Sequence, residues 1–229
     1  MMQDATVKEI IKREKRLRAL GLEQLCDCDF DHDNGQNPVA TGVMREYADH
    51  FEELRETGTG MFIFGGPGAG KSYAAAQIVN ALTDRGYDCL FTSMNNIVTE
   101  LSTLGLEGRR NLFYQIFSKD LLVLDDLGSE VESYNSNQVF IQIVNTCLFK
   151  CIPVIITTPY HEDVLTEGGN EKRAMAITRL LKRNIGFTAE IPAERLRREL
   201  RQKQKMEALV KSAASRQALP SEENEAKEN

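Results

Sequence analysis

No apolar run in this chain is long enough to cross a bilayer: stretches such as Leu121 to Leu124 fall far short of the ~20 residues that a spanning helix needs. The N-terminus shows no apolar core of the kind a secretory signal carries, so the sequence reads as cytoplasmic, with no membrane partner. No C-x-x-C pair occurs, and five cysteines is an odd number, which suits a reducing compartment rather than a disulfide framework. Cys26, Cys28 and His32 form a C-x-C-x3-H cluster that lacks a fourth ligand and the usual zinc spacing. There is no internal repeat. An excess of positive charge is also missing, since 34 acidic residues face 28 basic ones, and the net charge of -6 argues against a wholly basic nucleic-acid coat.

What remains is a 229-residue chain, 41% hydrophobic, able to bury one full core with small appendages. Residues Thr6 to Leu20 place Val7, Ile10, Ile11, Leu17 and Leu20 among lysines and arginines, which predicts a short basic helix stopped by Gly21. Alternating aspartates from Asp27 to Asp33 lead to the turn signal Asn34-Gly35, and a second helix is expected from about Pro38 to Leu54. From Met61 the rhythm becomes apolar strand, turn, helix. Strands are expected at Met61 to Phe64, Cys89 to Thr92, Leu121 to Leu124, Pro153 to Thr157 and Phe187 to Ile191. That alternation predicts an α/β fold, a parallel sheet with helices on both faces, because parallel strands need long crossovers. After Arg197 the chain turns polar: Glu199 to Ala214 suits a helical extension, and the ending PSEENEAKEN is too poor in apolar residues to order itself. The resulting division is a basic N-terminal segment over 1–25, a main domain over 26–200 and an extension with an acidic tail over 201–229.

Between the first strand and its helix stands GGPGAGKS, which satisfies G-x-x-x-x-G-K-[ST] in the required context. Within the loop Gly65, Gly66, Pro67, Gly68, Ala69 and Gly70, the residues Gly65, Gly68 and Gly70 let the backbone wrap closely and turn several N–H groups toward an anion at the positive end of the helix beginning with Lys71, Ser72 and Tyr73. Lys71 would neutralise the outer phosphates of ATP, and the Ser72 hydroxyl would ligate Mg2+. The stretch LLVLDDLG supplies the second half of such a site. A buried strand ending in two carboxylates is costly unless they have partners. A metal-bound triphosphate is such a partner: Asp125 would act on magnesium through water, and Asp126 would orient or deprotonate the attacking water. A solvated turn is the plainer reading of DDLG on its own.

Two further regions carry charge in suggestive places. Arg179 stands between Ile177 and Leu180-Leu181 in a strongly basic C-terminal third, where a charge within an apolar frame points to a partner. Between the second and third strands, Met94 to Asp120 is longer than one crossover helix requires. It contains Arg109, Arg110, Phe113, Tyr114 and Phe117, a mixture that can track phosphates and stack bases. Packing against the sheet explains Phe113 and Phe117 equally well.

In order and spacing, GGPGAGKSYAAAQIVNALTDRGYDCLFTS, LLVLDDLG, IPVIITTPY and ITRLLKRN resemble the AAA+ ATPases of the DnaC-type helicase loaders and the related IstB-type transposition helpers. The resemblance runs from about Cys26 to Arg198. It implies a three-layer P-loop NTPase with little or no C-terminal lid domain. It implies a sensor threonine at Thr157 or Thr158, of which Thr158 is chosen here, although Pro159 occupies the place where the family reads asparagine. It also implies an arginine finger at Arg179 reaching the nucleotide of an adjacent subunit in a spiral or ring, and a second sensor at Arg197 acting in its own subunit. Asp126 stands where most AAA+ proteins have glutamate, one methylene less of reach. The function implied is loading a replicative hexameric helicase onto single-stranded DNA, with Arg109 and Arg110 on the DNA and the N-terminal helix docking the helicase. The alternatives are a transposition helper that binds duplex DNA and a transposase, a small-molecule P-loop kinase, and an ATP-binding adaptor that hydrolyses poorly.

Overall fold

All five expected strands form in the computed structural model, which describes residues 2–33, 35–130, 133–167, 170–192 and 206. Arg197, the proposed extension apart from Met206, and the acidic tail lie outside the described residues. The chain divides into a unit Met1–Ile191 and a unit Pro192–Asn229. The elements below all belong to the first, and none of the described helices is long and apolar enough to cross a membrane.

The strands are β1 (Gly60–Phe64), β2 (Cys89–Ser93), β3 (Leu121–Asp125), β4 (Val154–Thr158) and β5 (Ile185–Glu190). They pair in parallel in the order β2-β3-β4-β1-β5. Register puts Met61 beside Ile155 and Val123 beside Ile155 from the other side. Because strand side chains alternate, Met61, Ile63, Leu121, Val123 and Ile155 enter one core, whereas Phe62, Leu122, Leu124, Val154 and Ile156 enter another on the opposite face. Helices cover both. α1 (Met2–Leu20), α2 (Pro38–Asp49), α3 (Phe51–Thr57) and α4 (Lys71–Asp84) belong to the first layer. α5 (Met94–Thr103), α6 (Leu106–Phe117), α7 (Tyr134–Lys150) and α9 (Glu171–Arg183) belong to the second, with the short α8 (Glu162–Glu167) against α9. Met61, Phe62 and Ile63 are fully buried, and each such side chain contributes about 1.5–3 kcal/mol of apolar burial.

Three boundaries differ from expectation for identifiable reasons. The single helix expected from Pro38 to Leu54 is broken at His50 (φ -98°, ψ 14°), which turns Phe51 into the core against Tyr47 and Tyr87. The segment after β2 folds as two helices, α5 and α6, which accounts for its length. The fifth strand starts at Ile185 rather than Phe187. It is an edge strand paired only with β1, and most of its side chains are exposed, so its apolar signal is weak.

Helix starts follow local chemistry. Ser93 caps α5 by accepting from Asn96 N–H, Ser133 and Ser136 form a reciprocal capping box on α7, and Asn170 caps α9 by accepting from Arg173 N–H. A buried Asn184, not anticipated from the sequence, ties the lower ends of the central strands. Its side chain accepts from Val154 N–H at 3.1 Å and donates to the Ile152 carbonyl at 2.9 Å, while its own carbonyl accepts from Gly60 N–H.

Candidate nucleotide site

The phosphate loop leaves β1 at Phe64 and re-enters regular structure at Lys71. Gly65 has φ 151° and lies so close to β5 that a Cβ there would meet the Ile191 carbonyl oxygen at 2.1 Å. Gly68 and Gly70 have φ 70° and 99°, values that L side chains avoid, and nothing lies within 4 Å of where a Cβ would stand. The loop is therefore open beside Gly68 and Gly70, just ahead of α4. The N-cap of α4 is Gly70, which provides no side-chain acceptor, leaving the helix's leading N–H groups to an incoming anion. Pro67 is exposed; Ala69 is buried and its N–H closes the loop onto the Gly66 carbonyl. The Lys71 ammonium is mostly buried and donates to the Gly65 and Gly66 carbonyls at 2.8 and 3.1 Å.

Ser72 connects this loop to β3. Its hydroxyl donates to Asp125 Oδ2 at 3.0 Å, and Asp125 Oδ1 accepts from the Thr157 hydroxyl at 2.5 Å. The same hydroxyl accepts from Asp126 N–H at 2.8 Å, so one threonine fixes both residues of the acidic pair. Asp126 has φ 55°, a left-handed conformation that aspartate tolerates better than most residues, and its side chain is exposed. A hydroxyl beside a carboxylate matches what magnesium takes from a P-loop protein, since that ion fills its remaining positions with phosphate oxygens and water. Among the described residues no group of three or more His, Cys, Asp or Glu side chains makes a self-sufficient metal cage. The donor set thus fits a metal that arrives with a triphosphate.

Thr158, chosen as the sensor, is not brought to this network. Its hydroxyl is buried on the opposite face and donates to the Leu127 carbonyl at 2.7 Å. The neighbouring Thr157 is the one whose hydroxyl reaches that network. Arg179 is exposed, on the side of α9 away from the buried Ile177 and Leu180, and its Nε donates to the Met175 carbonyl of its own helix at 3.3 Å. It faces outward, away from the apolar frame in which the sequence set it. The two α6 arginines separate. Arg109 Nε donates to the Leu101 and Leu104 carbonyls at 3.0 Å each, stapling the α5–α6 turn, whereas Arg110 is exposed near the exposed Tyr114. Phe113 and Phe117 stack at 5.7 Å and pack on the second core.

Sequence reasoning missed how the segment before α2 is bound. Tyr73, Gln77 and Asn80 follow one another at helical spacing along one side of α4. Tyr73 donates to the His32 carbonyl, Gln77 to the Asp29 carbonyl and the Asp33 carboxylate, and Asn80 to the Leu25 and Cys28 carbonyls. Three polar residues at i, i+4 and i+7 in an otherwise alanine-rich helix were the available signal. Cys26 and Cys28 donate to the Leu22 and Gln24 carbonyls while His32 pairs with Asp29, so the cluster considered for a metal is committed to local bonds.

The family profile described as IstB-like ATP binding protein matches residues 9–210. The replicative helicase loader DnaC of Buchnera aphidicola subsp. Acyrthosiphon pisum is 32% identical over 146 residues, covering 59% of this chain and 57% of the relative. The replicative helicase loader DnaI of Bacillus subtilis is 22% identical over 193 residues, covering 79% and 61%. The chain therefore spans less than two thirds of the length of these relatives. Among solved structures, the crystal structure of the DnaC helicase loader superposes with a TM-score of 0.63 at 21% identity, covering 74% of this chain and 99% of that one. Sheet, loop and flanking helices share the fold of that helicase loader.

Proposed function

This chain belongs to the IstB-like ATP-binding protein family, and from that premise we propose that it hydrolyses ATP with magnesium and uses the cycle to load a replicative hexameric helicase onto single-stranded DNA. The observation that carries the ATPase half is the continuous bond chain Ser72–Asp125–Thr157–Asp126, which joins the phosphate loop to the Asp125 carboxylate and the Asp126 backbone N–H. In this reading the N–H groups of Gly68 and of Gly70 to Tyr73, with the Lys71 ammonium, orient the phosphates, Lys71 exchanging its loop carbonyls for phosphate oxygens. Ser72 and Asp125 would hold magnesium, which when bound neutralises phosphate charge. Asp126 orients the attacking water and takes its proton, and Arg179 of a neighbouring subunit stabilises the charge that develops. Arg197 is retained as the second sensor by resemblance alone.

The loader half draws on the names of the relatives and on two surfaces. α1 leaves Val7, Ile10, Ile11 and Leu17 exposed among lysines and arginines, an open side for a helicase. Arg110 and Tyr114 offer a charge and a ring to single-stranded DNA. A second reading, a transposition helper on duplex DNA, is supported by 32% identity over 89 residues to a putative insertion sequence ATP-binding protein of Sinorhizobium fredii.

Turnover per subunit measured against protein concentration tests the first half. It should rise with concentration, and Arg179→Ala should lower it by roughly 10³ or more. Concentration-independent turnover, or an indifferent Arg179→Ala, would refute the shared site. Co-purification with the replicative helicase of the same source, with ATP and a single-stranded oligonucleotide, tests the second half. Its failure, together with preferential binding of duplex DNA, would move the reading to the transposition helper.

A further inference from the structure

Away from the nucleotide, the most deeply buried ion pair among the described residues is Arg173–Glu130, with side chains 5% and 3% exposed. It joins two elements with different tasks. Glu130 lies in the loop that leaves β3 through Asp125 and Asp126; Arg173 lies in the first turn of α9, the helix that carries Arg179. The guanidinium is engaged on every side. One nitrogen donates to Glu130, another to Asn137 Oδ1 at 3.2 Å, and the group lies 4.5 Å from the centroid of the Phe140 ring. The second Glu130 oxygen accepts from Gly128 N–H at 2.7 Å.

The loop between the carboxylates and Glu130 is braced along its length. The Asp126 carbonyl accepts from the Ser129 N–H and hydroxyl, Leu127 N–H donates to the Thr157 carbonyl, and the Leu127 carbonyl accepts from Thr158. A displacement of Asp125–Asp126 has few ways to dissipate before it reaches Glu130. Net stability is a poor explanation for the pair, because a buried ion pair is often no better than apolar residues of equal volume. Charge-assisted, directional bonds do fix relative position.

We propose that Glu130 and Arg173 are positioning residues that set how α9 presents Arg179 to a neighbouring subunit, taking the acidic loop of their own subunit as the reference. The inference rests on the finger reading above. Through this strut the state of one nucleotide site is delivered to the finger that completes the next one. Neither residue touches nucleotide.

A mixing experiment tests it. Lys71→Ala has a finger but no working cradle, and Arg179→Ala has a cradle but no finger; each alone should be nearly idle, and their mixture should recover turnover. Glu130→Gln with Arg173→Met removes both charges while leaving an acceptor for Gly128. Placed in the Lys71→Ala donor, the pair should reduce recovered turnover by about tenfold or more, the scale that small misplacements of a catalytic group reach. Placed in the Arg179→Ala acceptor, whose loop keeps its own bonds to β4, it should have a clearly smaller effect, with nucleotide affinity unchanged. General structural damage would lower both placements alike. If the double variant loses cooperative unfolding, Arg173→Lys, which keeps the charge but not the fork between Glu130 and Asn137, carries the same donor–acceptor comparison. Equal recovery with and without the substitutions, or an equal loss in both placements, overturns the strut. Failure of the parents to complement at all would instead remove the finger reading beneath it.

Discussion

Two adjacent threonines end β4 and do different work because successive side chains on a strand face opposite ways. Thr157 bonds both residues of the acidic pair, and Thr158 bonds the Leu127 carbonyl. Thr157→Val should therefore cut ATP hydrolysis by on the order of tenfold to a hundredfold with little change in nucleotide affinity. Thr158→Val should chiefly cost stability, roughly 1–3 kcal/mol for a buried carbonyl left without a donor. Single-turnover kinetics and thermal unfolding of both variants check the split; a larger catalytic loss at Thr158 would reverse the assignment. The family pattern alone cannot decide between neighbours, but counting by two can. Val123 and Ile155 share a face, so Asp125 and Thr157, two residues further along each strand, share it as well. The tight glycine turn after β1 and the acidic end of β3 were legible because their backbone demands are met by few residue types, whereas which threonine faces Asp125 depended on register between strands distant in sequence.

At the level of elements, α1 inverts a simple hydrophobic reading. Its exposed residues include Val7, Ile10, Ile11 and Leu17, while the charged Arg16 is buried. Arg16 donates to Asp84 on α4, to Asp29 and to the Cys26 carbonyl, which satisfies a cation that periodicity would have put in solvent. Burial alone would raise the Asp29 carboxyl pKa, but hydrogen bonds from His32 and Arg16 outweigh it and hold the value below the usual aspartate range. A folded value depressed in this way gives stability that is present above the unfolded pKa and lost as pH falls through the folded one. Docking of α1 should thus weaken in acid below about pH 4, and Asp29→Asn should flatten that part of the stability–pH profile. A profile identical to wild type over that range would count against the clamp. On α6, Arg110→Ala and Tyr114→Ala should each weaken single-stranded DNA binding, with the tyrosine worth about 1–3 kcal/mol if it stacks a base. Arg109→Ala should lower melting temperature instead, because Arg109 holds the carbonyls at the end of α5. Titration with a fluorescent oligonucleotide separates the two effects.

For the molecule as a whole, the parallel sheet was readable because apolar runs recur between helical patterns, strongest where strands are buried on both faces and weakest at the edge strand β5. The break at His50 and the buried Asn184 were not, since each serves contacts made only after the sheet has assembled. Burial also grades the cysteines. Cys89 and Cys147 lie within the two cores, and desolvation pushes each thiol up to about 12, while Cys151 is exposed at the end of α7. A thiol reagent applied to the native protein at neutral pH should modify Cys151 first and reach Cys89 and Cys147 only with unfolding. Peptide mapping of the modified sites reads the order, and early labelling of either core cysteine would contradict this packing.

The bonds from α4 to the stretch between Leu25 and Asp33 have a mechanical side. Arg16 grips Asp29, and the stretch containing Asp29 is stitched to the helix that opens at the phosphate loop. Tension applied to the first helix by any cargo therefore arrives at that loop's own helix by a short, bonded route. These bonds make one tether between the chain's first helix and the helix that follows its glycine loop.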